Sequence, residues 1–200
     1  MEPMTPFADP WARFDAWFAD ARTTERYPEA VNLATADTAG RPSNRVVLVR
    51  SWSPAGFVLF TDRESRKGAE LAANPHAALC WHWPSSPEPG LGREIRAQGT
   101  VEVLDDAASD EYWRTRPRAS QVAATTSHQS QPIESRTELE RRYAEVDASA
   151  GESLPRPERW GGFRLVPERV EFWAHHDDRL HDRLLYTREG EGWTTSVLQP

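Results

Sequence analysis

The sequence predicts a mainly β protein of the α+β class, an antiparallel β-barrel or sheet with helices packed outside it. Segments rich in β-branched and aromatic residues dominate both ends of the chain. Helix-like segments lie between them instead of alternating with strands one for one, which argues against a doubly wound parallel sheet. Neither GxGxxG nor GxxxxGK[ST] occurs, so no dinucleotide-binding or P-loop motif is indicated.

The N-terminal segment predicts an amphipathic helix over residues 8–22. Four aromatic side chains recur there at spacings of one helical turn, and the pair Asp9–Pro10 is a helix-start signal. We expect the aromatic face to dock on the rest of the protein. The 200 residues therefore divide into a helical segment at 1–28 and a main domain at 29–200.

Strand signals account for most of the main domain. The segment SPAG at 53–56 closes a hairpin, whereas HHDD at 175–178 and EGEG at 189–192 connect the last strands. RVVLVR at 45–50 is expected to be buried, because it is dense in β-branched residues. The predicted strands are 32–37, 45–50, 57–62, 76–83, 93–104, 163–174, 179–188 and 193–198.

Capping residues mark the helices between the strands. Ser65 starts a helix within 62–75, and Asp105 with Asp106 starts another that ends before Pro117. Further helices are predicted at 119–127 and at 133–149, the latter a charged surface element. Two segments are predicted to be irregular: the loop 84–92, which has three prolines and two glycines, and the turn region 151–162.

Composition excludes several classes of function. The formal net charge is -7, which argues against nucleic acid or an anionic membrane as the main partner. The N-terminus has no basic region followed by an apolar run, so neither a signal peptide nor a membrane span is expected. One cysteine, Cys80, allows no intramolecular disulfide. These features predict a soluble cytoplasmic protein.

Basic clusters in this acidic chain are candidate sites for a small anion. Arg45 and Arg50 bracket one predicted strand. Arg66 and Lys67 follow Ser65 in the first helical turn, where positive charges interact unfavourably with the helix dipole. An anion bound at this helix end would offset the unfavourable interaction. The alternative interpretation is a solvated face.

The stretch RLHDR at 179–183 carries another basic cluster. In an extended chain Arg179, His181 and Arg183 would line one face of a strand. Two arginines and a histidine on one face again favour an anionic ligand.

A further candidate group lies around Pro117. Tyr112, Arg116 and Ser120 are spaced four residues apart, and the proline interrupts the helix so that this face can curl into a pocket. A phenol, a guanidinium and a hydroxyl suit the oxygens of a phosphate. Surface ion pairing is the alternative. No metal-ligand spacing and no nucleophile elbow occur, and Cys80 is expected to be a packed thiol.

Motifs in a fixed order give the sequence a family likeness. They are NLATADTAGRPSNRVVLVR, FVLFTDRESRKGAELAANP, YWRTRPRASQ, SHQS, WGGFRLVPERVEFW and RLHDRLLY. With these motifs the chain resembles the pyridoxamine 5′-phosphate oxidase family over roughly residues 30–200. The resemblance implies a split β-barrel that forms a homodimer through its C-terminal strands, with FMN in a cleft between subunits. It also implies oxidation of pyridoxamine or pyridoxine 5′-phosphate by O2, giving pyridoxal 5′-phosphate and H2O2.

The resemblance also implies the site residues. Arg179 and His181 would be catalytic and would flank the substrate ring. The substrate phosphate would be bound by Arg50, Tyr112, Arg116 and Ser120. The residues implied for FMN are Arg45, Val46, Val47, Leu48, Phe60, Thr61, Arg66, Lys67, Glu94, Gln129, Ser130, Trp173 and Arg183.

Three positions depart from the family pattern. Arg50 replaces a lysine, Glu94 a glutamine and Phe60 a tyrosine, and the loop 84–92 is longer. Arginine keeps the charge of lysine but not its shape. Two other functions therefore stay open: an FMN-dependent oxidase of a phenazine-type precursor, and a non-catalytic flavin- or vitamer-binding protein. The Tyr–Arg–Ser set favours the phosphorylated vitamer, and the retained Arg179 and His181 favour catalysis.

Overall fold

The structure is a computed structural model that describes residues 4, 6–85, 92–151 and 153–200. Most of the predicted loop 84–92 lies outside these residues. Among the described helices, none is both long and apolar enough to cross a membrane.

Helices and strands follow the predicted order along the described chain. The helices are α1 Trp11–Thr24, α2 Arg66–Ala73, α3 Asp106–Thr115, α4 Arg118–Thr126 and α5 Arg136–Ser149. The strands are β1 Ala30–Ala36, β2 Pro42–Ser53, β3 Gly56–Asp62, β4 His76–Trp83, β5 Arg93–Val103, β6 Trp160–Ala174, β7 Asp182–Glu189 and β8 Gly192–Val197.

The strands form one antiparallel sheet in the order β3-β2-β1-β4-β5-β6-β7-β8. Pairing of β3 with β6 closes the part from β3 to β6 into a barrel, with Phe60 opposite Gly162. The last two strands extend the sheet beyond this closure. The predicted antiparallel β-barrel with helices outside is confirmed.

Helix α1 contributes its aromatic face to the core of the barrel. Phe14 lies 5.0 Å from Phe57 and 5.2 Å from Trp81 between ring centroids, and Trp17 contacts Phe172 edge-on at 5.3 Å. These rings are almost completely buried. Helix and barrel therefore share one hydrophobic core, and aromatic burial of this extent is a large stabilising contribution.

Polar side chains cap α2 and α3 as predicted. The Ser65 hydroxyl accepts a hydrogen bond from the Gly68 N–H, and Asp105 caps α3 in the same way. A Cβ at position 68 would overlap the backbone carbonyl of Arg63, so glycine lets the first turn of α2 approach the end of β3. Helix α5 has no buried residue, as expected of a surface element.

Two expectations about the strands are wrong. Along β2 only Val49 is buried, and Val46 is 63% exposed, because the outer face of this strand is uncovered in the single chain. In addition, Trp160, Gly161 and Gly162 belong to β6 and not to a turn region, because they pair with the end of β3.

Candidate functional site

A cavity of about 510 Å³ brings most of the predicted site residues together beside the N-terminus of α2. This volume is typical of small-molecule and cofactor sites. The predicted residues in its wall, here called the cavity cluster, are Arg45, Val46, Val47, Leu48, Arg50, Phe60, Thr61, Lys67, Tyr112, Arg116, Ser120 and Gln129. Arg66 and Ser130 are chain neighbours of this lining but not part of it.

Lys67 is fixed at the start of α2 by neutral oxygens. Its Nζ donates to Ser65 Oγ at 3.0 Å and to Gln129 Oε1 at 2.7 Å, and Thr61 Oγ1 donates to the same amide oxygen at 3.1 Å. Burial, followed by the charge of Arg45, lowers the pKa of Lys67 below its ordinary value. The charge of a bound anion would offset both effects, so the environment favours anion binding here.

Arg45 is held from the side of the barrel. Its Nη1 donates to Thr35 Oγ1 at 2.5 Å and to the Leu33 carbonyl at 3.2 Å. Its Nη2 donates to the Ser43 hydroxyl and, at 3.2 Å, to Glu70 Oε2. Four bonds from the two terminal nitrogens fix the plane of the guanidinium.

A break between two helices shapes the opposite wall. Helix α3 ends before Pro117, which cannot supply a helical N–H, and α4 starts directly after it. Tyr112, Arg116 and Ser120 consequently line the same cavity, as the sequence predicts.

Arg116 lies against aromatic faces. Its guanidinium carbon is 4.5 Å from the ring centroid of Trp160 and 5.2 Å from that of Trp113, and Nη2 donates to the Ser120 carbonyl at 2.8 Å. Burial lowers the pKa of Arg116, and the nearby charge of Arg50 lowers it further. Arg50 and Arg116 thus form a second pair of cations in the cavity.

Three parallel rings separate the cavity from the protein interior. Phe60 stacks on Tyr112 with ring centroids 4.0 Å apart, and on Trp160 at 5.5 Å. A Cβ at Gly162, the partner of Phe60 across β3 and β6, would press into the Phe60 ring. The phenylalanine at position 60 is therefore a packing residue in this chain.

A buried ion pair positions the chain that follows α4. Arg159 Nε donates to Asp62 Oδ2 at 3.1 Å, and its Nη2 donates to the carbonyls of Ala124 and Thr125 at 2.9 and 2.8 Å. Asp62 Oδ2 also accepts from the Gln129 N–H at 3.4 Å. Asp62, which is almost fully buried, thus connects Arg159 to the backbone of Gln129, the residue that contacts Lys67.

The remaining predicted residues form a strand-end cluster of Glu94, Trp173, Arg179, His181 and Arg183. The sheet register places Glu94 of β5 opposite Trp173 of β6, and Trp173 opposite Arg183 of β7. Residues directly opposite in antiparallel strands share a face, so these three side chains lie side by side.

Ion pairs link the arginines of this face to carboxylates. Arg183 Nε donates to Glu171 Oε1 at 2.7 Å, which raises the pKa of Arg183. Arg96 pairs with Glu94 and, at 3.5 Å, with Glu171. The carboxylate of Glu94 is thus already paired with a cation.

The strand expected at 179–183 is wrong. Strand β7 begins at Asp182, and Arg179 has φ 68°, a left-handed conformation that a strand does not contain. Arg179 and His181 lie in the turn before the strand, while Arg183 lies on it. The turn before β7 is longer than the sequence pattern indicates, because it continues through Arg179 and His181.

His181 is oriented by its surroundings. Its Nδ1 accepts a hydrogen bond from the His176 N–H at 3.1 Å, so the neutral ring carries its proton on Nε2. The ring centroid is 4.6 Å from that of Trp173 and 5.1 Å from that of His175. Burial, followed by the charges of His175, Arg179 and His176, lowers the pKa of His181.

The two clusters lie at opposite ends of β6 within one chain. Phe60 pairs with Gly162 near the start of this strand, whereas Trp173 is next to its end. Eleven residues of extended chain span about 35 Å. One chain therefore does not bring the two clusters together around a ligand of flavin size.

Sequence reasoning missed several residues that support the cavity. Glu70 holds Arg45 and Arg66, Trp160 underlies Arg116, and Arg159 fixes the chain after α4. The spacing of Arg66 and Glu70 by four residues is a signal for a helical ion pair that was available in the sequence. The other two contacts join residues far apart in the chain.

Comparison with known families accounts for most of the sequence. Residues 19–150 match the family described as pyridoxamine 5′-phosphate oxidase. Residues 160–200 match the pyridoxine 5′-phosphate oxidase C-terminal dimerisation region.

Individual relatives cover nearly the whole chain. A pyridoxine/pyridoxamine 5′-phosphate oxidase of Sphingopyxis alaskensis is 50% identical over 96% of this chain and 88% of its own length. A protein of the same name from Anaeromyxobacter dehalogenans is 48% identical over 99% of this chain and 100% of its own.

Solved structures share the fold. PhzG from Burkholderia lata, in complex with tetrahydrophenazine-1-carboxylic acid, superimposes with a TM-score of 0.89 at 36% identity, covering 98% of this chain and 94% of that one. A pyridoxamine 5′-phosphate oxidase-related, FMN-binding protein from Nostoc punctiforme gives a TM-score of 0.77 at 19% identity, covering 97% and 98%. With its split-barrel fold and both family regions, the chain belongs to the pyridoxamine 5′-phosphate oxidase family.

Proposed function

We propose that this protein is an FMN-dependent oxidase that converts pyridoxamine or pyridoxine 5′-phosphate to pyridoxal 5′-phosphate, consuming O2 and releasing H2O2. With the amine substrate, water is also consumed and ammonia is released. The observation that carries the proposal is the presence of two pairs of cations in one cavity. Arg45 and Lys67 form one pair, and Arg50 and Arg116 form the other. Two phosphate esters, one of a cofactor and one of a substrate, match this arrangement.

The chemistry of the donors fits FMN. Lys67, Arg45 and the Ser65-capped start of α2 provide cations and backbone N–H groups, which suit a phosphate. Thr61 and Gln129 provide neutral polar atoms for a ribityl chain, and the apolar side chains of β2 provide a surface for a flat ring. The residues present therefore fit the cofactor that the family resemblance implies.

A second copy of the chain would complete the site. The strand-end cluster lies at the far end of β6, and residues 160–200 match a dimerisation region. Val46, at the edge of the cavity, is largely exposed in the single chain, as is Leu180 in the turn beside His181. In a homodimer, the strand-end cluster of one protomer would cover the cavity of its partner and bury these apolar residues.

Each side chain then has a definite task. Arg50, Tyr112, Arg116 and Ser120 would bind the substrate phosphate and fix the position of the pyridine ring. FMN, held by Arg45 and Lys67, would supply the redox chemistry that oxidises C4′ of the substrate at the expense of O2. His181, neutral because its pKa is lowered and with its Nδ1 occupied by the His176 N–H, would donate its Nε2–H to the substrate, and Arg179 would orient the ring.

The PhzG relationship supports a second candidate, an oxidase of a phenazine-type acid. Such an acid carries a carboxylate instead of a phosphate ester. The set of Tyr112, Arg116 and Ser120 around a cavity with two cation pairs favours the phosphorylated vitamer, as do relatives named for that activity at 48–50% identity. A reducing cytoplasm agrees with the single cysteine, Cys80.

Anaerobic mixing tests the proposal. The full chain is saturated with FMN, its visible spectrum is recorded, and pyridoxine 5′-phosphate or a phenazine-type carboxylic acid is added without oxygen. We expect the vitamer phosphate to bleach the flavin, and air to restore the colour with release of H2O2. Bleaching by the phenazine-type acid alone would favour the second candidate. A bound flavin that neither compound bleaches would indicate a non-catalytic binding protein.

A further inference from the structure

Glu70 places a buried negative charge beside the proposed phosphate site. Its side chain, in the middle of α2, is only 8% exposed. Oε2 accepts from Thr35 Oγ1 and Ser43 Oγ, both at 2.5 Å, and from Arg45 at 3.2 Å. Oε1 accepts from Arg66 Nε at 2.8 Å. A buried carboxylate is tolerated only when it is satisfied in this way.

The hydrogen bonds keep this carboxylate charged. Burial opposes ionisation of Glu70, but the bonds from Ser43, Thr35, Arg66 and Arg45 outweigh it and lower its pKa to about 2. Glu70 is therefore an anion at every pH at which the protein is expected to work. By itself, an anion so near a phosphate site would weaken phosphate binding. It can strengthen binding only by orienting the cations around it or by offsetting their mutual repulsion.

The two arginines that meet at Glu70 keep donors free for a ligand. Arg66 donates its Nε–H to Glu70. Its two terminal nitrogens donate to no residue in the described part of the chain. Arg45 uses its terminal nitrogens for the network, and no described residue accepts from its Nε–H. Each of the two guanidinium groups is therefore held by hydrogen bonds on one side only, and its remaining donors are available to a ligand.

We propose that Glu70 is a positioning residue for the cofactor phosphate: it orients Arg45 and Arg66, and its charge offsets their mutual repulsion beside Lys67. The inference rests on the proposed function, because it takes FMN as the ligand. Two long side chains that lie ordered before the ligand arrives lose less conformational entropy on binding. The net effect of Glu70 is thus to strengthen binding of an anion despite its own charge.

A merely structural role predicts a different pattern. Glu70 also joins α2 to β1 and β2 through Thr35 and Ser43, so its loss could loosen the whole cavity. A loosened cavity would bind every flavin less well. Loss of positioning would affect only a flavin that carries a phosphate, and riboflavin, which has the same ring and ribityl chain, separates the two roles.

The test is flavin binding by the full chain after removal of its cofactor. FMN or riboflavin is titrated with wild type, Glu70→Ala, Glu70→Gln and the control Glu64→Ala, and quenching of flavin fluorescence gives each Kd. Glu64 is an exposed carboxylate next to the same helix start. We expect Glu70→Ala to raise the Kd of FMN about 10- to 30-fold and that of riboflavin less than about 2-fold.

The other variants sharpen the result. Glu70→Gln keeps an oxygen for Thr35, Ser43 and Arg45 but loses the charge and the acceptor for Arg66, so its FMN Kd should lie between those of wild type and Glu70→Ala. Glu64→Ala should leave both values within about 2-fold. If Glu70→Ala does not fold, Ser43→Ala takes its place, because this hydroxyl bridges Arg45 and Glu70, and an increase of about 3-fold for FMN alone is expected.

Two outcomes would overturn the inference. One is an FMN Kd in Glu70→Ala, or in Ser43→Ala where that variant replaces it, that equals the wild-type value. The other is an equal loss of FMN and riboflavin. A wild-type protein that does not bind FMN at all would instead refute the proposed function, so the two failures are distinguishable.

Discussion

The cavity cluster and the strand-end cluster are built in different ways. The cavity cluster rests on buried carboxylates: Glu70 holds Arg45 from one side, and Asp62 with Arg159 holds Gln129 from the other. The strand-end cluster rests partly on a turn, in which Arg179 adopts a left-handed conformation and Leu180 is 68% exposed. One half of the site is preformed within a chain, whereas in the proposed homodimer the other half would gain its surroundings from a second copy.

The charges of the two clusters differ as well. In the strand-end cluster Arg183 is paired with Glu171, and Glu94 with Arg96. In the cavity cluster Arg116 lies on an aromatic face and bonds only a neutral carbonyl among the described residues. Lys67 and Arg116 thus carry positive charge bonded only to neutral oxygens in the cavity, which is where both phosphates are proposed to bind.

The largest expected effect comes from the cavity cluster. Arg116→Ala removes a charged donor from a buried position, so kcat/KM for pyridoxine 5′-phosphate should fall about 100-fold, mainly through KM. Steady-state peroxide formation measures it. Arg136→Ala is the matched control, because Arg136 is exposed on α5 and pairs only with Glu140 among the described residues. An unchanged KM in Arg116→Ala would favour the phenazine-type substrate.

An intermediate effect tests whether the two clusters meet between protomers. Chains carrying Arg116→Ala and chains carrying His181→Ala are given different affinity tags, co-expressed, and purified as mixed dimers. Each mixed dimer has one site with both substitutions and one with neither, so activity should rise from nearly zero to about half of wild type.

The parental dimers supply the reference for this experiment. Each parent carries one substitution in both of its sites and should be almost inactive. Mixed dimers that are no more active than the parents would mean that each site is built from a single chain.

The smallest expected effect is a shift in pH dependence. The charge of a protonated His175 disfavours protonation of His181 and so lowers its pKa. His175→Asn removes this repulsion, the pKa of His181 rises, and the acid limb of the kcat/KM profile should move to higher pH by about 0.3 units. His76→Asn, at an exposed position on β4, should leave the profile unchanged. A shift to lower pH would contradict a requirement for neutral His181.

Local signals explain which parts of the fold were predictable. Strand β4 has the predicted bounds, His76 and Trp83, because Pro75 and Pro84 limit it on both sides. The caps Ser65 and Asp105 were recognisable because a capping side chain bonds its own helix within three residues. The pocket around Pro117 followed from the same local reasoning.

Non-local contacts explain what was missed. RLHDR has the alternation of a strand, but its conformation depends on packing of His181 against Trp173 and on the His176 N–H. Burial of Glu70 depends on Thr35 of β1 and Ser43 of β2, which precede it by 35 and 27 residues. A glutamate in a polar helix has the same local signature whether it faces solvent or a barrel.

Strand β6 imposes a constraint on how this protein can change. It runs from the ring stack at Trp160 to the strand-end cluster at Trp173, with a single shift of register opposite Gln98 and Gly99, and it pairs with β3, β5 and β7. Inserting or deleting one residue within it would turn every side chain beyond that point to the opposite face of the sheet. Trp173 would then point away from Glu94 and Arg183. Evolution of new substrate preference is therefore expected to proceed by exchange of side chains along β6, while variation in length is confined to the connecting loops.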